Sequence, residues 1–380
     1  MKRIGVLLLG FLFCFAVAAW PQAQPQLSHK VITFSVPGAG TGANQGTYVD
    51  RIVDSGAVTG WYIDSNNVYH GFIRTPDGVI TKVDAPGALN APGLGTIPEG
   101  MNWEGVTTGY YTDSNGVYHA YLRSPDGAFA NVDVPTAGTG QGQGTIPCSI
   151  NARGTVLGVF IDANNNGHYF LRSLFGRFTT FDAPDEGAGV MGLSTGELQD
   201  ALSDAGAAIG MFVDLNFVMH GWLRTPDGKI TRIDAPGAGT GAWEGTYAVA
   251  VNEKGTVSGG FVPQGKSWGN IQGFVRDVHG TITTFAPPQG WGSVQSNTMN
   301  AWGEIAGTCW TWDENNESVA AYADHAFSRA PNGTYTVFRL PGAGTGNFQG
   351  TYAMDINDRG WIAGTVTDDN SVTWSYIMIP

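Results

Sequence analysis

The chain is poor in cysteine, in charge and above all in positive charge. It has 3 cysteines in 380 residues. Cys14 falls in an apolar amino-terminal run, and Cys148 and Cys309 fall in separate segments of a repeat described below, so no bridge between them is expected. Disulfides therefore do not hold this chain together. Charged residues make up 13%, with 19 Lys and Arg against 32 Asp and Glu, a formal net charge of -13. Nucleic acids and anionic membranes select for basic patches, so neither is an expected partner. Long apolar runs are missing too. The one candidate, from Ile4 to Ala19, follows Lys2 and Arg3, contains the small-residue site Ala16-Val17-Ala18 and is short for a membrane span. It reads as a signal peptide over residues 1–23, leaving a single domain over 24–380, secreted or periplasmic and not inserted in the membrane after cleavage.

Against these shortages stand 56 glycines and an aromatic content of 12%. The aromatics are regularly placed, which argues for a packed core and not for disorder. One phrase organises their spacing. Asp234-Ala235-Pro236-Gly237-Ala238-Gly239-Thr240-Gly241 returns, more or less altered, along the mature chain, anchored at Pro37, Pro86, Pro135, Pro184, Pro236, Pro288 and Pro341. A period near fifty residues identifies a repeat architecture. Within the first copy, runs at 47–53, 57–63, 69–74 and 79–83 are separated by Asp54-Ser55-Gly56, Asp64-Ser65-Asn66-Asn67 and Thr75-Pro76-Asp77-Gly78. Four short strands joined by turn signals, with no helical periodicity, predict one propeller blade.

The other copies follow the same grammar. A Gly-x-x-x-Gly brackets the first hairpin of each, from Gly56/Gly60 to Gly360/Gly364, and an aromatic-x-Arg marks the third strand of six, from Phe72/Arg74 to Phe327/Arg329. The seventh copy ends after its third run, while Lys30-Val31-Ile32-Thr33-Phe34 stands alone at the other end. The expected fold is an all-β, seven-bladed β-propeller of four-stranded antiparallel blades. The amino-terminal strand completes the last blade and closes the ring without an open edge.

The third run reads His70-Gly71-Phe72, His119-Ala120-Tyr121, His168-Tyr169-Phe170, His220-Gly221-Trp222 and His325-Ala326-Phe327. The last is the His-Ala-Phe triplet that names the HAF family of bacterial extracellular repeat proteins, which the chain resembles over nearly its whole mature length. The resemblance implies an exported repeat protein and no particular activity.

Alternating strand directions put the proline-glycine loops and the Asp-x-Asn turns on one face, where a ligand is to be sought. His and Asp recur there fourteen residues apart, as His70/Asp84, His119/Asp133, His168/Asp182 and His220/Asp234, with a further Asp ending the second strand. A device repeated from blade to blade reads as a structural lock. One His per blade is too few for zinc, so no metal site is assigned; calcium at the acid-poor Asp-Ser-Asn-Asn turns is the cofactor alternative. The Gly-Ala-Gly-Thr-Gly loops mimic phosphate cradles but precede no helix and read as flexible crossings. Gly192-Leu193-Ser194-Thr195-Gly196 matches a nucleophile elbow without its strand–turn–helix context, and Thr75-Pro76-Asp77-Gly78 resembles the Asp-box turn of sialidase-type propellers without its Trp.

Departures from the repeat carry the candidate binding site. Trp243 and Phe348 stand where the first copy has Asn44, and Trp291, Trp302, Trp310 and Trp312 crowd the sixth copy, which also holds an insertion from Asp313 to Asp324. Exposed aromatics on a concave face suit sugar rings. The ligand residues nominated are Trp243, Phe348, Asn44 and Trp291, with no catalytic residue. The expected function is an exported, monomeric, non-catalytic propeller that binds an extracellular glycan or envelope protein. The alternatives are a polysaccharide hydrolase or lyase, for which Glu99, Asp185, Glu186 and Glu244 are the available loop acids, and a structural surface protein.

Overall fold

The computed structural model describes residues 29–183, 200–311 and 323–380. The expected signal peptide, Pro184, Asp185, Glu186, the Gly192–Gly196 motif, Trp312 and nearly all of the sixth-copy insertion lie outside the described residues.

Strands dominate. β1 (Lys30–Phe34) precedes the first repeat, which is β2 (Gly46–Ile52), β3 (Val58–Ile63), β4 (Tyr69–Arg74) and β5 (Ile80–Val83). The second is β6 (Thr96–Met101), β7 (Thr107–Thr112), β8 (Tyr118–Arg123) and β9 (Phe129–Asn131). The third is β10 (Gly144–Ile150), β11 (Val156–Ile161), β12 (Gly167–Arg172) and β13 (Phe178–Phe181). The fourth shows β14 (Ala208–Val213), β15 (Met219–Arg224) and β16 (Ile230–Ile233); Ile209 N donates to Ala201 O at 2.9 Å, so Asp200–Leu202 stands where the innermost strand does elsewhere. The fifth is β17 (Gly245–Val251), β18 (Val257–Val262), β19 (Gln272–Arg276) and β20 (Ile282–Phe285). The sixth is β21 (Ser293–Met299), β22 (Ile305–Trp310), β23 (Ala323–Arg329) and β24 (Tyr335–Phe338), and the seventh is β25 (Gln349–Ile356), β26 (Ile362–Thr367) and β27 (Thr373–Ile379).

Within each repeat the strands pair antiparallel with their sequence neighbours. In the seventh, β27 takes β1 as its outer partner, in register from Lys30↔Ile379 to Phe34↔Ser375. The first strand of the chain thus covers the edge that the last strand would expose.

The paired glycines have two separate causes. The first of each pair sits in the hairpin turn at positive φ, for example +87° at Gly56 and +72° at Gly360, a region that a Cβ disfavours. In all repeats but the fourth, the second lies opposite a β-bulge in the innermost strand, between Val49 and Arg51 in the first repeat and between Ala353 and Asp355 in the seventh. A Cβ on Gly60 would stand 2.1 Å from Tyr48 O, and one on Gly364 2.0 Å from Tyr352 O. The bulge pushes the innermost backbone against its neighbour, and only a hydrogen fits there.

The core lies between successive sheets. The aromatic of each aromatic-x-Arg, together with Tyr376 in the seventh repeat, is buried to 2% exposure or less. The following arginines reach the preceding sheet: Arg74 lies over Phe34 at 5.0 Å, Arg224 over Phe181 at 5.0 Å and Arg329 over Phe285 at 4.2 Å. A parallel contact joins the start of an innermost strand to the third strand of the repeat before, as in Tyr69↔Gly95, Tyr118↔Gly144 and Met219↔Gly245, whereas β21 bonds to the fifth repeat through Val294 N to Ile271 O at 3.1 Å. The parallel contact also joins the last repeat to the first, Thr373↔Gly46. On the turn face, side chains stitch neighbours together. Asn102 Nδ2 donates to Asn151 O, Asn151 Nδ2 to Ser203 O at 3.0 Å, Asn300 Nδ2 to Asn357 O, and Asn357 Nδ2 to Val53 O at 3.1 Å.

Candidate functional site

The loop face is held by two recurring devices. In the first, the imidazole Nδ1 of His70, His119, His168 and His220 lies 2.9, 2.7, 2.7 and 2.6 Å from Asp84, Asp133, Asp182 and Asp234. Each Nε2 faces the Asp at the end of the second strand at 3.6–3.7 Å, and an aromatic from that strand covers each ring, as Tyr62 covers His70 with centroids 4.9 Å apart. Strand pairing explains the geometry: β3, β4 and β5 set Asp64, His70 and Asp84 side by side. Backbone N–H donors in the turns, Val117 and Asn166 foremost, hold the carboxyls of Asp113 and Asp162 below their ordinary range. Burial works against a charged His168, but its two carboxylates outweigh burial and raise its pKa. The sixth repeat breaks the device. Arg339 replaces the Asp and donates to Gly344 O at 3.0 Å, while His325 donates to Ala323 O at 3.0 Å, and burial lowers its pKa.

The second device corrects the expectation of flexible crossings. Gln45, Gln143 and Gln349 each accept from a loop N–H three residues earlier, at 2.8–2.9 Å. Glu244 does the same for Gly241 N at 2.9 Å and also accepts from Gly265 N at 2.8 Å. The glycine loops are therefore pinned. Of the nominated acids, Glu244 is a loop clamp, and Glu99 is a 2% exposed residue of strand β6 and not a loop residue.

The four nominated ligand residues separate. Asn44 and Phe348 line one cleft of about 260 Å³ between the seventh and first repeats. The stacked pair Tyr48 and Trp61, centroids 5.8 Å apart and planes 7° from parallel, is part of its lining. The pairing Tyr48↔Trp61 on β2 and β3 aligns these rings. Thr365, Thr367, Ser371 and Thr373 supply hydroxyls, and no lining residue is charged. Phe348 is 87% exposed at the rim. Trp243 belongs to a different cluster, 5.7 Å from Phe217, with Tyr247 stacked on Trp268 in the same repeat. Trp291 lies apart from both, a half-buried ring 4.5 Å from His325 packed against the core of the sixth repeat. Sequence reasoning missed Tyr48 and Trp61. The signal was two aromatics at facing strand positions, visible only once the register is known.

The turn face, not expected to hold a site, has a central opening of about 230 Å³ lined by residues from every repeat. Arg51 fills its throat, paired with Asp200 of the fourth repeat and 3.5 Å from Asp355 of the seventh. The Thr298 hydroxyl of the sixth repeat lies within hydrogen-bond distance of both Asp200 and Asp355, the latter at 2.8 Å, and has one proton to give to one of them. Asp355 also accepts from Ile52 N at 2.7 Å. All of these groups are engaged with each other, as in a plug. Among the described residues no set of three or more His, Cys, Asp or Glu side chains converges to hold a metal. Cys148 and Cys309 are both free and buried.

No family model matches the chain, and no curated protein matches it. Solved structures do. Virginiamycin B lyase from Staphylococcus aureus superposes with a TM-score of 0.54 at 15% identity, covering 93% of this chain and 100% of that one. The BP39L lectin from Burkholderia pseudomallei gives 0.50 at 8% identity, covering 92% and 95%. The six-bladed propeller lectin of Aleuria aurantia gives 0.34 at 11% identity, covering 82% and 94%. The fold is of the β-propeller type. At these identities the likeness concerns the fold alone.

Proposed function

We propose that this chain is an exported, seven-bladed propeller that binds neutral saccharide without cleaving it, in the cleft between the last and first repeats. Supporting seven blades, the central opening draws lining residues from each of seven repeats, and Thr373↔Gly46 together with Asn357→Val53 joins the last repeat to the first. Supporting export is the amino-terminal leader pattern and the HAF resemblance.

One observation carries the binding reading. The cleft is lined by the aromatic pair Tyr48 and Trp61 and by hydroxyl side chains, with no charged residue. Pyranose rings present an apolar C–H face that packs on aromatic planes and an equatorial belt of hydroxyls that exchanges hydrogen bonds with short polar side chains. Exclusion of charge selects against acidic sugars, because a carboxylate there would lose water without gaining a partner.

The test takes the purified mature protein, from about Gln22, with a panel of neutral polysaccharides and peptidoglycan, scoring depletion of protein and newly formed reducing ends together. Depletion without new ends, weakened in Phe348→Ala and Trp61→Ala, is the expected result. New reducing ends would overturn the non-catalytic reading, and depletion unaffected by either substitution would overturn the cleft.

A further inference from the structure

A second cleft, of about 330 Å³, opens between the fifth and sixth repeats on the turn side, away from the aromatic cleft. It forms where the stitching between repeats lapses. Asn102, Asn151, Asn300 and Asn357 each donate their amide to the next repeat. Asn252 is the same residue at the same position, and its Oδ1 accepts from Lys254 N and Thr256 N as its counterparts do. Yet its Nδ2 finds no acceptor among the described residues.

Two cations share this cleft, Lys254 and Arg329. Neither forms an ion pair among the described residues, in a chain whose net charge is -13. Arg329 lies over Phe285 at 4.2 Å, and Lys254 Nζ lies 5.3 Å from the Trp302 centroid. Trp302 is 65% exposed. The acid of the cleft, Asp277, is occupied by its own turn, accepting from His279 N and Thr281 N at 2.9 and 2.8 Å. An indole face, two unpaired cations and a free amide donor are together the recognition set for a sugar ring that carries a carboxylate.

We infer that this cleft binds a uronic-acid residue of an acidic saccharide. The ring stacks on Trp302, and its carboxylate draws the Lys254 ammonium from the indole into an ion pair, with Asn252 Nδ2 as a second donor. This site is independent of the neutral-saccharide cleft and stands or falls without it.

The test titrates the mature protein with a trigalacturonate, with its methyl ester and with a neutral trisaccharide, following binding by calorimetry. The free acid is expected to bind, with the ester about tenfold weaker, since a charge-assisted contact is lost. Lys254→Gln, a surface change that leaves packing intact, should weaken the acid about tenfold and leave the ester unchanged. Trp302→Ala should weaken both, and Phe348→Ala neither. Equal binding of acid and ester, unchanged affinity in Lys254→Gln, or no binding of the acid up to about 10 mM would each overturn the assignment. Loss of acid binding in Phe348→Ala, with Lys254→Gln unaffected, would move the acidic ligand to the other cleft and overturn it as well.

Discussion

Arg51 of the first repeat and Asp200 of the fourth form an ion pair across the middle of the molecule, 149 residues apart in sequence. With Thr298 and Asp355 they tie four repeats together at the axis. Removing the cation leaves two carboxylates facing each other, and Asp355 is 1% exposed. Arg51→Met should therefore cost roughly 2–3 kcal/mol, less than a fully buried orphan because Arg51 retains some water contact. Urea midpoints check this, and Arg51→Met with Asp200→Asn should regain part of the loss. An unchanged midpoint would show that the plug contributes nothing.

The lock of the third repeat has a pH signature. His168 has a raised pKa in the folded protein. Its contribution to stability is fully present below about pH 6.5 and is lost as pH rises through the folded value. His168→Gln should flatten that part of the stability–pH curve and cost about 1 kcal/mol near pH 6, from the lost bond to Asp182. Thermal unfolding from pH 5 to 9 measures both.

Asp324 gives a second, distinct window. Burial pushes its carboxyl up to about 6, against a bond from the Tyr352 hydroxyl that works in the other direction. The folded protein thus holds a proton that the unfolded chain releases near the ordinary aspartate value of 3.8. The associated stability is full below that value and is lost as pH rises through about 6. Asp324→Asn, which keeps the acceptor without the charge, should be more stable than the parent at pH 7.5 and equal to it near pH 4. The opposite order would refute the assigned direction.

Metal dependence separates the lock from a calcium site at the Asp-x-Asn turns. If the His–Asp pairs and turn N–H groups satisfy these carboxylates themselves, EDTA and calcium leave the melting temperature unchanged. A calcium-dependent rise would assign the turns to the cation instead.

Deleting residues 30–34 should expose the outer edge of β27, whose partners are Lys30 to Phe34. An uncovered edge is a template for another chain. The expected outcome is self-association by light scattering with a lowered melting temperature. A monomer of parental stability would show that β1 is dispensable.

Local structure was legible because it is encoded locally. The runs at 69–74 and 79–83 became β4 and β5 to within a residue, since turn residues bound them on both sides. The covering of β27 by β1 followed from an incomplete last copy and an orphan first run. The His–Asp pairs were legible because hairpin register converts a spacing of fourteen into adjacency. What could not be read was whatever joins distant repeats. Nothing near Arg51 announces Asp200, and nothing near Asn252 announces that its amide lacks the acceptor its counterparts have. Trp243 and Phe348 hold equivalent repeat positions, yet only Phe348 lies beside Tyr48 and Trp61. Their shared position said where the loop was, but not which rings its neighbours would supply.

The pairing of Lys30 with Ile379 also fixes an order of events. Hairpins within a repeat close over a few residues, whereas this contact waits for nearly the entire polypeptide to emerge. Loop-closure entropy grows slowly with length, by about 0.6 kcal/mol per doubling, so the contact is affordable at equilibrium but late in time. A chain built this way stays open-ended until its final strand arrives.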